Sequence, residues 1–374
     1  MPGSATISDQ PPTTDLQRAW LEVDLSALVA NARTIAATSG SPLLPMVKAN
    51  GYGTGAVAAA RALEAVAPWG FGVATIPEAE ELREAGITRP IVVFTPWVGG
   101  RSSVVGRVGV RPVIGDVRSL ESWLQSTDHQ PPTTNVAPFH LEIDTGMARS
   151  GIRWDDRQAL QRAAELLTDR PDWEGVFTHF HSAESDPGAT DLQWDRFMDA
   201  LCWFPVRPPL VHAANSAGAL RGRMFAADLV RPGIYLYGGG AGDQGPAPRP
   251  VATLKCRIIA LRTVQRGDTV SYNGTWVADG PREIATLSIG YADGLLRSGS
   301  NRLRVEVNGL VVPVVGRVTM DMTMVALPPG AAALGDVATI FGGKVTLADH
   351  AEQMGTNVYE ALTAIGARVP RIHR

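Results

Sequence analysis

Short apolar segments alternate with segments of helical spacing from residue 20 to residue 237, and this alternation limits the chain to an α/β fold. Eight strands are predicted, at residues 43–47, 71–75, 91–94, 111–114, 139–144, 175–180, 210–213 and 233–237. Apolar residues recur at helical intervals between them, at 58–66, 77–85, 157–167 and 191–202. Eight such units over about 220 residues favour a closed (β/α)8 barrel of the TIM type, although an open doubly wound sheet shows the same alternation.

The alternation ends at a stretch rich in glycine and proline, residues 238–248, which predicts a linker. A phosphate-binding loop is the alternative for these glycines, but neither a helix nor a lysine follows them. Beyond the linker the pattern predicts strands at 251–264, 283–289, 302–307 and 311–315, a hairpin turn at Asn308-Gly309 and a short helix near 359–365. We expect a flexible tail at 1–17, a barrel at 18–240 and a mostly β domain at 241–374, with a strand near 19–24 available to pair with that domain.

Charge and cysteine content exclude several classes of protein. The net charge is −3 over 374 residues, so electrostatics favour neither nucleic acid nor a membrane surface as a partner. No apolar run approaches the roughly 18 residues that cross a bilayer, and residues 1–17 lack the basic and apolar segments of a secretory signal. Cys202 and Cys256 form neither a disulfide framework nor a metal-binding pair, which is typical of the cytoplasm.

Lys48 stands where the first predicted strand ends, immediately before the strand-breaking pair Asn50-Gly51. A partly desolvated lysine has a lowered pKa and becomes a nucleophilic amine, which is the property needed to hold a carbonyl cofactor as a Schiff base. The alternative is a lysine whose stem lies along apolar surface while its charge reaches water.

Charged and polar residues also follow the later strands, at the edge where a barrel collects its functional side chains. The strand at 139–144 places His140, Glu142 and Asp144 on one face, and Arg149 follows it. The remaining strand ends contribute His179, His181, His212, Asn215, Ser216 and Arg231. The pair Asn215-Ser216 is a suitable start for a helix that binds an anion.

Two other kinds of site are less consistent with this pattern. A metal could bind His179 and His181, but their spacing puts the two side chains on opposite faces of a strand, so we expect no metal. Ser216 could act as a nucleophile with His179 as its base, but no G-x-S-x-G turn is present.

An ordered set of motifs from Trp20 to Arg371 resembles the alanine racemase family of pyridoxal-phosphate enzymes, which have a barrel and a C-terminal β domain. These motifs are residues 47–53, 144–149, 178–180, 215–217, 231–238, 289–294, 320–322 and 368–371. The resemblance implies that Lys48 carries the cofactor and serves as one catalytic base. It also implies that Tyr291 of the partner subunit is the opposed base, as racemisation requires one base on each face of the α-carbon.

The same resemblance implies roles for other residues of the site. Arg231 matches the arginine at the pyridine nitrogen of the cofactor, and His179 matches a residue that links this arginine to the catalytic tyrosine. Arg149 matches the residue that binds the cofactor phenolate and the substrate carboxylate, Met320 a carboxylate-binding backbone donor of the partner, and Asp321 a residue of the entrance. The positions that match the phosphate-binding residues are Tyr52, Ser216, Gly233, Ile234 and Tyr359, with Asn215 beside them.

The chain departs from the family pattern at a few positions. Glu142 stands where many relatives have a carbamylated lysine, and a glutamate offers a permanent carboxylate that can support Arg149. Ala148, Thr54, Thr319 and His181 also replace the usual residues, and these changes extend the expected substrates from alanine to other small amino acids such as serine.

The resemblance implies a head-to-tail homodimer with shared active sites and a D-alanine product of the kind used as a peptidoglycan precursor. A barrel-type amino-acid decarboxylase is an alternative, but those enzymes place an acidic residue where this chain has Arg231. A non-catalytic pyridoxal-phosphate carrier is another alternative, but such proteins have no second domain that carries Tyr291 and Met320.

Overall fold

The computed structural model describes residues 17–100, 102–128, 137–243 and 245–374. The predicted tail at 1–17 therefore lies almost entirely outside the described residues. The contacts within the chain divide it into two units, one of residues 25–249 and one in which residues 17–24 join 250–374.

A ring of parallel strands forms the centre of the first unit. Six strands pair in the order Phe71–Val73, Ile91–Val93, Arg111–Ile114, Phe139–Asp144, Trp173–Phe177 and Leu210–His212. Residues 43–47 and 229–232 close the ring, because Leu43 bridges Val230 and Met46 bridges Gly72, both in parallel. The amide of Arg231 also donates to the carbonyl of Ala214 at 2.9 Å. The predicted (β/α)8 barrel is confirmed.

Helices follow the strands around this ring. They span Leu25–Ser39, Ala56–Leu63, Ile76–Glu84, Ser102–Val108, Val117–Asp128, Arg157–Leu167, Pro187–Leu201 and Ser216–Leu220. Their starts follow local chemistry: Asp186 caps the helix that begins at Pro187, which explains why it starts before the predicted residue 191. Among the described residues, no helix is both long and apolar enough to cross a membrane.

Some of the predicted barrel strands differ from the structure, most clearly those at 233–237 and 175–180. Residues 233–237 are not a strand, because Ile234–Tyr237 form a short 3₁₀ helix. The Ser216 hydroxyl accepts from the amides of Gly233, at 2.8 Å, and Tyr235, at 3.4 Å, so these amides are not available to a strand ladder. The strand predicted at 175–180 ends at Phe177, and the Arg231 guanidinium binds the carbonyl of the next residue, Thr178, at 2.7 Å.

The second unit is built on a long strand, Ala252–Val264, in a mostly antiparallel sheet. Ala19–Val23 pairs with this strand antiparallel and with Arg371–His373 in parallel. Further strands of the unit are Thr269–Val270, Trp276–Val277, Arg282–Leu287, Arg304–Val307, Leu310–Pro313, Thr323–Leu327 and Val337–Phe341, with helices at Leu347–Met354 and Val358–Thr363. The hairpin at Asn308-Gly309 is confirmed, since both residues have positive φ, 47° and 78°, as a type I′ turn requires.

Candidate active site

Lys48 begins a turn of left-handed backbone. Residues 49–52 have φ between 52° and 60°, a region that costs an L-residue roughly 1–2 kcal/mol. The turn is held by hydrogen bonds that join Gly51 to Val47 and Gly53 to Ala49 at 2.8 Å, and the Asn50 side chain to the Ala56 amide at 3.0 Å. The surroundings of the lysine therefore stabilise a backbone conformation that its own sequence disfavours.

Glu78 anchors this turn to the neighbouring helix. Its carboxylate accepts from the amide of Ala49 at 2.7 Å and from the amides of Ala74 and Thr75 at 2.7 and 3.0 Å. Thr75 accepts in return from the Glu78 amide, which completes a capping box at the start of Ile76–Glu84. One carboxylate thus fixes both the helix start and the residue after Lys48.

The environment of Lys48 favours the neutral amine. Burial lowers the pKa of Lys48, and the nearby cations of Arg149 and Arg231 lower it further, against an opposing effect of Glu78. An amine with a lowered pKa is a better nucleophile at neutral pH.

Arg231 is buried in the barrel, and both terminal nitrogens of its guanidinium donate to groups of the barrel. Its guanidinium lies 2.8 Å from His212 Nδ1, 2.9 Å from the carbonyl of Ala213 and 3.5 Å from His179 Nδ1. Burial, followed by the charges of Arg231, Arg149 and Lys48, lowers the pKa of His179 well below its usual value. His179 is therefore neutral, and since its Nδ1 faces a donor, its Nε2 carries the hydrogen.

The predicted supporting residue, Glu142, is buried in the strand Phe139–Asp144. Its carboxylate accepts from the hydroxyl of Ser150, and burial raises its pKa although Arg149 and Arg231 act in the opposite direction. Arg149 itself is exposed, and among the described residues no hydrogen bond or ion pair engages its side chain. Glu142 thus acts on Arg149 through charge and on the same loop through Ser150.

Asp144 shapes the loop that leads to Arg149. Its carboxylate accepts from the amides of Gly146, at 2.9 Å, and Ala148, at 3.0 Å. Ala148 has a φ of 54°, a backbone conformation that favours glycine over alanine.

The predicted phosphate-binding residues of the barrel lie together. Ser216 accepts from the Gly233 amide, as described above, and a Cβ added at Gly233 would lie 2.2 Å from the Tyr52 hydroxyl oxygen. Ile234 follows as the first residue of the 3₁₀ helix. Asn215 caps the helix Ser216–Leu220 through a bond from the Gly218 amide at 3.0 Å, so in the structure it positions Ser216.

Gln193, which the sequence analysis did not single out, links two loops of the site. Its amide donates to the carbonyl of His179 at 3.0 Å and to the hydroxyl of Thr145 at 3.2 Å, and its oxygen accepts from the His181 amide at 3.0 Å. No short-range pattern marks a residue such as Gln193. Glu78 was not among the predicted residues either, but the Thr-x-x-Glu motif of a capping box, at residues 75–78, could have identified it.

The remaining predicted residues lie in the second unit. Tyr291 begins the 3₁₀ helix Tyr291–Asp293, and its side chain is 42% exposed. Its amide donates to the carbonyl of Thr319 at 2.9 Å, and that of Ala292 to Met320 at 3.0 Å, so the turn and the Met320 segment are joined. A groove of about 760 Å³ on this unit is lined by Tyr291, Met320 and Asp321, among others.

Asp293 holds this turn from beneath. It is fully buried, and its carboxylate accepts from the Gly290 amide at 2.9 Å, from Arg368 Nε at 3.0 Å and from Arg18. Arg368 also donates to Asp321 at 2.8 Å, so one guanidinium joins the buried Asp293 to an exposed residue of the groove. Tyr359 lies on the helix Val358–Thr363 of the same unit, where it is 46% exposed.

The two groups of residues differ in what they offer. The barrel group provides the Lys48 amine, an arginine donor, and hydroxyls beside a glycine without a side chain. Together these groups can hold a phosphorylated aldehyde. The group on the second unit provides an exposed phenol next to backbone donors. Among the described residues, no cluster of three histidine, cysteine or acidic side chains could hold a metal ion.

Comparison with known proteins gives matches along the full length of the two units. The family model described as alanine racemase, N-terminal domain, matches residues 23–241, and that of the C-terminal domain matches 251–373. The alanine racemase of Geobacillus kaustophilus is 37% identical, over 94% of each chain.

Solved structures show the same similarity. The alanine racemase of Bacillus anthracis with bound L-Ala-P has a TM-score of 0.87 and 34% identity, covering 96% of this chain and 95% of that one. That of Bartonella henselae, with covalently bound pyridoxal phosphate, has a TM-score of 0.88 and 29% identity, covering 96% and 100%.

Proposed function

Because the chain belongs to the alanine racemase family, we propose that it interconverts L-alanine and D-alanine, with Lys48 and Tyr291 of the partner subunit as the two bases. The family consists of isomerases that use pyridoxal phosphate. The observation that carries the residue assignment is the half-buried Lys48 amine, whose pKa is lowered by burial and by Arg149 and Arg231.

The residues of the barrel fit pyridoxal phosphate. Lys48 offers an amine to its aldehyde, and the Tyr52 and Ser216 hydroxyls lie beside the Gly233 backbone where a phosphate would be held. The lack of a Cβ at Gly233 supports this, because a side chain there would collide with the Tyr52 hydroxyl. Ile234 and Tyr359 complete the proposed phosphate-binding set, and Asn215 keeps Ser216 in place.

Two bases of this chain would move the proton. When bound, pyridoxal phosphate withdraws electrons from the α-carbon of an attached amino acid and so acidifies its α-hydrogen. Lys48 takes or delivers that proton on one face, and the Tyr291 phenol of the partner subunit does so on the other. Inversion requires both, because a single base would return the proton to the face it left.

Arg231 and His179 set the electrostatics of this reaction. A guanidinium presents only N–H donors and does not release its proton, so Arg231 would donate a hydrogen bond to the ring nitrogen of the bound cofactor without protonating it. The cofactor would then withdraw electrons less strongly, which would disfavour transamination. His179, neutral and with its Nε2–H free of Arg231, is available to stabilise a tyrosine phenolate.

In this proposal the substrate carboxylate is bound by Arg149 together with Met320 of the partner subunit. The Arg149 guanidinium is exposed and uncommitted among the described residues, and a planar guanidinium suits a carboxylate. Glu142, buried in the strand that precedes it, interacts with Arg149 through charge, since the Arg149 cation acts to lower the pKa of Glu142 against the effect of burial.

We extend the proposal to a head-to-tail homodimer in the cytoplasm, in which each subunit lends Tyr291, Met320 and Asp321 to the other. Support comes from the exposure of Tyr291 and Met320 on their own unit, at 42% and 52%, beside a rigid turn held by Asp293. A serine racemase, a decarboxylase and a non-catalytic carrier are not favoured, since the matched family models cover both units.

The test is hydrogen exchange at the α-carbon. Holoprotein in D₂O should convert either enantiomer of alanine to the other with deuterium at the α-carbon, and Lys48→Ala should lose the visible absorption of the bound cofactor. Tyr291→Phe should block exchange from one enantiomer far more than from the other. Tyr272→Phe, which removes a second hydroxyl from the lining of the same groove, shows whether the effect is specific to Tyr291. Absence of racemisation by the holoprotein, or equal loss for both enantiomers in Tyr291→Phe, would contradict the assignment.

A further inference from the structure

A line of hydrogen bonds crosses the interior of the barrel from Arg231 to Glu174. Arg231 Nη1 lies 2.8 Å from His212 Nδ1, and His212 Nε2 lies 2.8 Å from His140 Nδ1. His140 Nε2 lies 3.1 Å from Glu174 Oε2. Glu174 is near the start of the strand Trp173–Phe177, whereas His212 ends its own strand, so the line joins the two ends of the barrel.

The two ends of this line, the donor Arg231 and the acceptor Glu174, require the same direction for every bond between them. A guanidinium can only donate, so Nδ1 of His212 must be an acceptor without hydrogen. A neutral imidazole then carries its hydrogen on Nε2, which donates to His140 Nδ1, and the His140 Nε2–H donates to the Glu174 carboxylate. Burial lowers the pKa of both histidines, well below the usual value for His212, in agreement with two neutral rings.

Packing holds both rings in this orientation. A Cβ added at Gly175 would lie 2.5 Å from His140 Nδ1, so the ring rests directly on that backbone. The Phe177 ring stacks on His212, with centroids 5.0 Å apart and an interplanar angle of 15°. Both histidines are fully buried, so water cannot replace a missing partner.

The line has an arginine near each end. Arg111 Nε lies 3.0 Å from Glu174 Oε2, and Arg231 stands at the other end. Two neutral histidines in series have one acceptor end and one donor end, so they cannot accept from both arginines. Glu174 removes the conflict, because its carboxylate accepts from Arg111 and from the donor end of the histidine pair. Although burial acts to raise it, bonds from His140 and Arg111 hold the pKa of Glu174 below its usual value.

We propose that Glu174 is a positioning residue that sets the tautomers of His140 and His212 and thereby fixes the orientation of Arg231 in the site. With the opposite tautomer, His212 would turn an N–H toward the guanidinium, and the two donors would repel. The role of Arg231 at the cofactor rests on the proposed function, whereas the predicted tautomers of His140 and His212 follow from the hydrogen bonds alone.

The direct test is nuclear magnetic resonance of the holoprotein labelled with ¹⁵N-histidine, with signals assigned from His140→Gln and His212→Gln. Both histidines should be the Nε2–H tautomer. An Nδ1–H tautomer or a doubly protonated ring at either position would overturn the proposal, and this measurement needs no variant of Glu174. Because it does not require turnover, loss of the proposed racemase function would leave its result unaffected.

Variants of Glu174 test its causal role. In Glu174→Ala, His140 Nε2 loses its acceptor while the Arg111 cation remains nearby, so both histidines should show mixed tautomers, and affinity for pyridoxal phosphate should weaken about tenfold. Glu174→Gln, whose amide oxygen can accept the same bonds, should restore the wild-type tautomers. Glu121→Ala, which removes an exposed partner of Arg162, is the matched control. Unchanged tautomers in a folded Glu174→Ala protein would overturn the proposal.

Discussion

The carboxylate of Glu78 accepts a hydrogen bond from the backbone amide of Ala49 at 2.7 Å, one residue beyond Lys48. This contact ties the left-handed turn of the candidate cofactor lysine to a helix start that Glu78 also caps. Residues 49–53 all have positive φ, and the first of these five residues is held by a side chain that lies 29 positions away.

Removal of this carboxylate should loosen the lysine turn. We expect Glu78→Ala to lower the free energy of unfolding by about 2 kcal/mol, because a capping box and a charged acceptor are lost together. Cofactor occupancy, measured by visible absorption, should fall as well. Glu81→Ala, on the exposed side of the same helix, is the control and should leave both values unchanged. Full occupancy with wild-type stability in Glu78→Ala would contradict the anchoring role.

The charge of Arg149 should be measurable at Lys48. Arg149 lowers the pKa of the lysine amine, so Arg149→Gln should raise that pKa, while burial still holds it below the ordinary value. The rate at which apoprotein captures pyridoxal phosphate depends on the neutral amine, so its pH midpoint should move to higher pH. Arg153→Gln removes a cation that pairs with Asp155 in the same segment, and its midpoint should match the wild type. A shift of the midpoint to lower pH in Arg149→Gln would contradict the inference that Arg149 lowers the pKa of Lys48.

Gly233 should tolerate no side chain. In Gly233→Ala the new Cβ would lie 2.2 Å from the Tyr52 hydroxyl oxygen and 2.9 Å from its ring carbon, so the backbone or the ring must move. We expect affinity for pyridoxal phosphate to fall at least about tenfold, as for other displaced binding groups. Gly240→Ala is the matched control, because no atom lies within 4 Å of its added Cβ. If the two alanine variants bind the cofactor equally well, the phosphate is not held beside Gly233 and the proposed phosphate-binding residues are wrong.

Asp293 should be essential for the turn that carries Tyr291. Asp293→Asn weakens the acceptor of the Gly290 amide and of two partly exposed arginines, Arg18 and Arg368, so the free energy of unfolding should fall by about 2 kcal/mol. Chemical denaturation measures this change. Asp279→Asn removes an exposed partner of Arg282 and should change stability by less than about 1 kcal/mol. Equal effects of the two substitutions would mean that the buried carboxylate has no special role.

Local patterns predicted much of the fold. Phe139–Asp144 and Arg157–Leu167 begin and end where apolar periodicity placed them, and Asn308-Gly309 forms the expected turn. These features depend on neighbouring residues alone, since strand, helix and turn preferences act over a few positions. The eighth strand was predicted at residues 233–237, but the ring is closed by residues 229–232. Ile234–Tyr237 form a 3₁₀ helix instead, and the amide of the preceding Gly233 binds the distant Ser216 hydroxyl.

The sequence alone determined the order of the elements, the family resemblance and the chemical type of each candidate residue, from Lys48 to Tyr291. Only the tertiary structure decided the left-handed turn at residues 49–52, the bond from Ala49 to Glu78 and the line from Arg231 to Glu174. The physical reason is range. The periodicity that predicts helices and strands depends only on residues close together in the chain. Desolvation and hydrogen-bond direction depend on which distant groups come into contact once water is excluded.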